Sequence, residues 1–90
     1  MVQKMNDKSE LILNMDKLHT TDLGIERIKR NLCLGVDDVV SWCKNKIEEP
    51  DSSMIRKGKN WYIDAGDCKI TVNSYSYTII TAHKQKNRLK

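Results

Sequence analysis

The stretch SSMIRKGKNWYIDAGDCKITVNSYSYTIITAHK, residues 52–84, decides the fold, because its apolar residues tend to recur at every second position instead of every third or fourth. Met54 to Lys57, Asn60 to Asp64, Cys68 to Asn73 and Tyr77 to His83 read as four short strands. Gly58-Lys59, Ala65-Gly66-Asp67 and Ser74-Tyr75-Ser76 separate them, and Gly58 and Gly66 supply the positive φ that tight hairpin loops require. The expected sheet is therefore an antiparallel meander.

Alternation along each strand assigns faces. Trp61 and Ile63 share one side, as do Cys68, Ile70 and Val72, and these are the core candidates. Tyr62, Asp64, Lys69, Thr71 and Asn73 then point the other way. In the last strand Ile80 and Ala82 suit the core, which leaves Tyr77, Ile79, Thr81 and His83 outside; Ile79 breaks the alternation, so the register there stays open.

Upstream of residue 52 the period is helical. Asp7 and Glu10 have capping-box spacing, and Leu11, Ile12, Met15 and Leu18 repeat as one apolar face. Thr20 or Thr21 caps a second helix whose buried stripe is Ile25, Ile28 and Leu32, with Gly24 slightly weakening its first turn. Leu34-Gly35 interrupts the pattern. Asp37-Asp38 starts a third helix carrying Val36, Val39, Val40, Cys43 and Ile47, with Lys44 and Lys46 near its C-terminus, and Pro50 ends it.

The expectation is an α+β fold in which three N-terminal helices pack on a four-stranded antiparallel meander and the other sheet face stays free. Ninety residues make one domain, with a helical half over about 8–48, a sheet half over about 53–84 and a basic tail at 85–90. Few large apolar side chains are available, so a homodimer is a plausible further source of burial. No apolar run approaches the length of a membrane span, nor does the N-terminus read as a secretory signal, which points to a cytoplasmic protein with no membrane partner. Cys33, Cys43 and Cys68 are odd in number and widely spaced, so reduced thiols are expected in place of disulfides or zinc ligands.

Charge is uneven along the chain. Residues 1–50 carry eight Lys or Arg against nine Asp or Glu, a balance of −1, whereas residues 51–90 carry eight against three, a balance of +5. A basic sheet and tail attract phosphate backbones. The same charges also keep sheet edges from pairing with one another, an ordinary structural role.

Two stretches are distinctive: LHTTDLGIERI at residues 18–28, and RKGKNWY at 56–62 with ITVN at 70–73 and TIITAHK at 78–84. Together they resemble the small bacterial proteins grouped as domain of unknown function 3781, over about Leu11 to Lys84. That resemblance implies a cytosolic bacterial protein and carries no activity with it. The order of helices and meander, with Ile-Thr-Val-Asn at 70–73 and Ile-Ile-Thr-Ala at 79–82, is also distantly similar to the barnase, EndoU, colicin and RelE-like ribonuclease superfold, which implies metal-independent action on RNA. The departure is at the last strand, which ends on His83-Lys84 where those toxins commonly carry an aromatic-Pro pair.

Metal-free RNA cleavage needs a base for the 2′-hydroxyl, an acid for the leaving oxygen and cations for the phosphorane. The two histidines, His19 and His83, are the candidate acid and base, with Thr81 beside His83 as a hydrogen-bonding group. Arg27, Lys57, Lys59, Lys69, Thr71 and Tyr77 are the candidate nucleic-acid contacts. Each has a structural counterpart: His19 in a turn, His83 on a strand end, Arg27 in helix-surface ion pairs, Lys57 and Lys59 in a hairpin, and tyrosines in cross-strand pairs. No phosphate loop, HExxH or GxSxG occurs, and no cofactor is expected. The readings left open are a ribonuclease-like domain, a non-catalytic nucleic-acid-binding module and a protein-protein adaptor.

Overall fold

Gly58 and Gly66 adopt φ of +61° and +64°, so both expected tight turns form at the positions where a side chain would strain the backbone. A computed structural model describes residues 9–33 and 35–85. Helices α1 (Ser9–Leu13), α2 (Asp22–Leu32) and α3 (Val39–Ile47) precede strands β1 (Ser53–Lys57), β2 (Asn60–Ala65), β3 (Cys68–Asn73) and β4 (Ile79–Lys84). The strands pair antiparallel in the order β1-β2-β3-β4, so the α+β class and the meander are what the chain forms. The cap expected from Asp7 and the basic residues 86–90 lie outside the described residues, whereas Gln85 is tied down: its backbone N–H donates to Asp67 O and its side chain to Asp64 Oδ1.

The first helix is shorter than its apolar period suggests. Asn14 Nδ2 donates to Glu10 O at 2.8 Å, and a 3-10 turn at Met15–Lys17 follows. Such local side-chain bonding competes with helix continuation. Leu18 is already extended, yet Leu11, Met15 and Leu18 are all buried and keep the apolar face across the break, whereas Ile12, expected with them, is exposed.

In α2 the cap is Thr21, whose Oγ1 accepts from Gly24 N at 3.0 Å. Thr20 does something else: its hydroxyl donates to Ile79 O at 2.8 Å, fastening the helix start to β4. Gly24 leaves room for this bond, because a Cβ there would collide with Thr20 Oγ1 and force the hydroxyl off Ile79 O. In α3 Asp38 is the cap, accepting from Ser41 N at 3.0 Å and Ser41 Oγ at 2.9 Å. At its other end Ser52 Oγ lies 2.7 Å from Ile47 O and 2.9 Å from Glu49 O, satisfying helix-terminal carbonyls.

Ile28 and Leu32 of α2 and Val39, Cys43 and Ile47 of α3 join Met54, Trp61, Ile63, Ile70, Val72, Ile79 and Ala82 in one core on the inner sheet face. β4 departs from the expected alternation. Thr71 pairs with Thr81 but Val72 pairs with Ile79, so Ile80 is an extra residue at a bulge. The phase therefore slips: Ile79 and Ala82, three apart, are both buried, and Ile80 is only half-buried. Ile79 belongs to the core and Ile80 does not, the reverse of simple alternation.

The outer edge of β4 is covered at its start by the chain itself. His19 N–H donates to Tyr77 O at 3.2 Å and Ile79 N–H donates to His19 O at 2.7 Å, a parallel bridge between His19 and Thr78. Asn31 Nδ2 adds a bond to Ala82 O at 3.3 Å. An edge strand with its backbone groups so occupied is a poor template for pairing with other chains.

Candidate nucleic-acid interface

Antiparallel register carries three rows of side chains across the outer sheet face. Lys57, Asn60 and Asn73 form the row nearest the β1–β2 turn, Ile55, Tyr62, Thr71 and Thr81 the middle row, and Ser53, Asp64, Lys69 and His83 the third. Ile55 is 58% exposed, an uncovered apolar side chain in the middle of a strand. Around it lies an open depression of about 570 Å³ lined by Ile55, Lys57, Gly58, Tyr62 and Lys69. Its floor is apolar and aromatic; its rim is cationic.

The lysines owe this position to the period of the strands: two residues that alternate with core positions on different strands fall on one face. Lys69 Nζ sits 3.8 Å from Asp64 Oδ1, a partly exposed contact of little net stabilising value. Asn60 Nδ2 points at Tyr62 OH from 3.5 Å. Thr71, only 7% exposed, is screened by its neighbours in the row. Thr81 Oγ1 accepts from Asn31 Nδ2 at 3.3 Å and so serves the contact between α2 and the β4 edge.

The other predicted residues separate. Lys59 is exposed at the β1–β2 turn, where its carbonyl accepts from Ser74 N and Ser74 Oγ, each at 2.8 Å. Arg27 is exposed on α2, one turn before Asn31 and so at the β4 side of the sheet, remote from Lys57 on β1. Tyr77 is a correction: it is not in the outer face. It precedes β4 with φ +60°, and its ring meets buried Trp61 edge-on at 5.5 Å and 63°, with Lys17 Nζ 5.5 Å from its centroid. Burial, aided by the charge of Glu10, pushes its phenol above the ordinary range.

His19 and His83 do not converge. His19 is bridged to Thr78, before β4 begins, while His83 stands opposite Lys69 near its end. Five steps of chain separate Thr78 from His83, one of them taken up by the bulge, so the span along the sheet is roughly 13 Å at the usual rise. One phosphate does not span that. His19 has other partners: Nδ1 lies 2.9 Å from Lys17 O and Nε2 lies 3.1 Å from Thr78 Oγ1.

Sequence reasoning passed over Ile55 as a site residue and missed the grouping of His19 with Thr78, Ser76 and Asn73. Strict alternation opposite buried Met54 was a usable signal for Ile55. Asn73 in a tight turn was a weaker one, since Asn side chains commonly accept from the backbone N–H groups that follow, as Asn73 Oδ1 does from Tyr75 and Ser76 at 2.9 Å each.

Neither buried thiol is an activated nucleophile. Cys43 is pushed up to about 12 by burial, with Cys68 nearby adding to it, and Cys68 is raised first by burial and then by Asp67. Among the described residues no group of three or more His, Cys, Asp or Glu is placed to hold a metal ion. Nor is any helix among them long and apolar enough to cross a membrane.

Comparison with known proteins finds no match among curated proteins and none among solved structures, so the resemblance to the ribonuclease superfold is without support. A family model does match, over residues 12–83, which takes in α2, α3 and the sheet nearly to its end. The chain belongs to the family described as protein of unknown function (DUF3781), as its distinctive stretches suggested.

Proposed function

We propose that the outer sheet face is a non-catalytic binding surface for single-stranded nucleic acid. The observation that carries this reading is the open depression with Ile55 and Tyr62 as floor and Lys57 and Lys69 as rim. A single strand presents unpaired bases with apolar faces and a chain of phosphates. Tyr62 matches the first by stacking, and the lysines match the second. A duplex offers no exposed base faces to such a floor. Binding is favoured over cleavage because acid–base catalysis through His19 and His83 needs both rings at one phosphate, and they stand at opposite ends of β4.

The test is fluorescence anisotropy with a labelled decauridylate. With two to three lysines engaged, affinity falls roughly seven- to twentyfold between 50 and 200 mM salt. Tyr62→Ala weakens binding by about 1 to 3 kcal/mol at fixed salt. Absence of binding at 50 mM salt, or affinity indifferent to salt, overturns the reading.

A further inference from the structure

Thr78 directly precedes Ile79, and since Ile79 faces the core, Thr78 stands on the outer side of the sheet. Its Oγ1 is 3.1 Å from His19 Nε2 and 2.8 Å from Ser76 Oγ, and Ser76 Oγ is in turn 3.2 Å from Asn73 Oδ1. His19 Nδ1 faces the Lys17 carbonyl, which only accepts, so Nδ1 carries a hydrogen and in the neutral ring Nε2 is an acceptor. Thr78 then donates to His19, and the one Ser76 hydroxyl hydrogen is shared between Thr78 Oγ1 and Asn73 Oδ1, which both accept. Each hydroxyl oxygen keeps an unused lone pair, because a hydroxyl has two.

These side chains are held rigidly yet remain accessible. The His19 backbone is bonded into the sheet edge, and Asn73 Oδ1 fixes the turn by accepting from Tyr75 and Ser76. His19 and Ser76 are exposed and Thr78 half-buried. Because backbone bonds already fasten residue 19 to β4, the exposed side-chain chain adds little to that attachment. It is ready-made for a ligand, at small ordering cost.

The cluster also lies in line with the depression. Lys57 pairs with Asn60 and Asn60 with Asn73, and Asn73 N–H donates to Thr78 O at 2.8 Å, so one lateral path runs from Lys57 to His19. Four inter-strand steps make that path about 19 Å, room for roughly three nucleotides of a single strand. What the path meets at its far end is a set of neutral hydroxyl acceptors beside an imidazole, the neighbouring Lys17 ammonium lying over the Tyr77 ring. That chemistry suits a sugar hydroxyl.

We propose that Ser76, Thr78 and His19 form a subsite for the ribose 2′-hydroxyl, so that the protein selects RNA over DNA. The inference rests on the reading of the outer face as a nucleic-acid surface. The 2′-hydroxyl donates to the open lone pair of Thr78 Oγ1 or Ser76 Oγ; deoxyribose brings only C–H there and leaves the bond unmade.

Anisotropy with labelled decauridylate and decadeoxyuridylate, which share a base and differ in the sugar, tests it at 50 mM salt. The wild-type chain is expected to prefer the ribo-oligomer about five- to tenfold. Thr78→Val brings that ratio close to one while leaving deoxy-oligomer affinity unchanged, and Thr78→Ser keeps the preference. Should Thr78→Val unfold the turn, a 2′-O-methyl oligouridylate on the wild-type protein gives the same reading, since it lacks the donor hydrogen and is expected to bind like the deoxy form. Equal wild-type affinity for the two sugars, 2′-O-methyl binding at the ribo level, or a Thr78→Val loss shared by both oligomers overturns the subsite and leaves the outer-face reading standing. Absence of binding to either overturns both.

Discussion

Met54, Ile63, Ile70 and Ala82 form one row across the sheet, and Ile55, Tyr62, Thr71 and Thr81 form the next, one residue along each strand. The first row is 3% exposed or less throughout; the second ranges from 7% at Thr71 to 58% at Ile55. A step of one residue reverses the environment because successive side chains point to opposite faces. The inner row is explained by the helices that cover it. The outer row includes an apolar side chain and a tyrosine that no helix among the described residues covers, and residues left so by the fold are where a binding role is to be sought.

The strongest way to break this contrast is to truncate the same residue type in both rows. Ile70→Ala removes a fully buried side chain from the sheet centre and is expected to cost about 2 to 5 kcal/mol, a large part of the stability of a domain this size. Ile55→Ala is expected to stay within about 0.5 kcal/mol. Urea unfolding measures both. Similar losses at the two positions would mean that the outer row is covered and the binding surface does not exist.

Much of this contrast is legible in the sequence, for physical reasons. The alternation of Trp61, Ile63, Ile70 and Val72 follows from period two, and the turns at Gly58 and Gly66 follow from a backbone conformation that glycine adopts freely. What escaped depends on distant partners. The bulge at Ile80 arises in the pairing of β3 with β4, and nothing in the pair Ile79-Ile80 says which of the two is inserted. His19 meets Thr78 across 59 residues, a contact no local period announces. The period suggests a longer first helix than forms, because Leu11, Met15 and Leu18 stay buried even though Asn14 ends the helix between them.

Tyr77 and Tyr62 sharpen the comparison at the next scale of effect. Tyr77 lies against Trp61 and belongs to the inner side despite a polypeptide position that suggested the outer. Its left-handed backbone is held by Tyr77 N–H donating to Asn73 O at 2.9 Å, so the turn imposes φ on a residue that rarely accepts it. Tyr77→Ala is expected to cost about 1 to 2 kcal/mol in unfolding experiments and to leave oligonucleotide affinity nearly unchanged. Tyr62→Ala should show the opposite pattern. If Tyr77→Ala weakened binding as much as Tyr62→Ala, the division between structural and binding tyrosines would fail.

The smallest expected effect concerns what keeps the inner row covered. Val39, Cys43 and Ile47 hold α3 against the core, and the helix starts at Asp38. The Asp38 carboxyl is lowered from its ordinary value of 3.8, first by the Ser41 backbone N–H, then by the Ser41 hydroxyl, with Lys44 helping. A carboxylate lowered on folding contributes stability that is fully present above the unfolded pKa and is lost as pH falls through the folded one, because the unfolded chain takes up the proton first. The contribution should therefore fade from just above pH 3.8 downward. Other carboxylates titrate in the same range, so the informative quantity is the difference between the wild-type chain and Asp38→Asn in unfolding free energy against pH. Asparagine caps through its amide oxygen at every pH, so its curve should be the flatter of the two below pH 3.8 and parallel to the wild type above about pH 5. Parallel curves throughout would mean that the Asp38 charge does not help to hold α3 over the inner face.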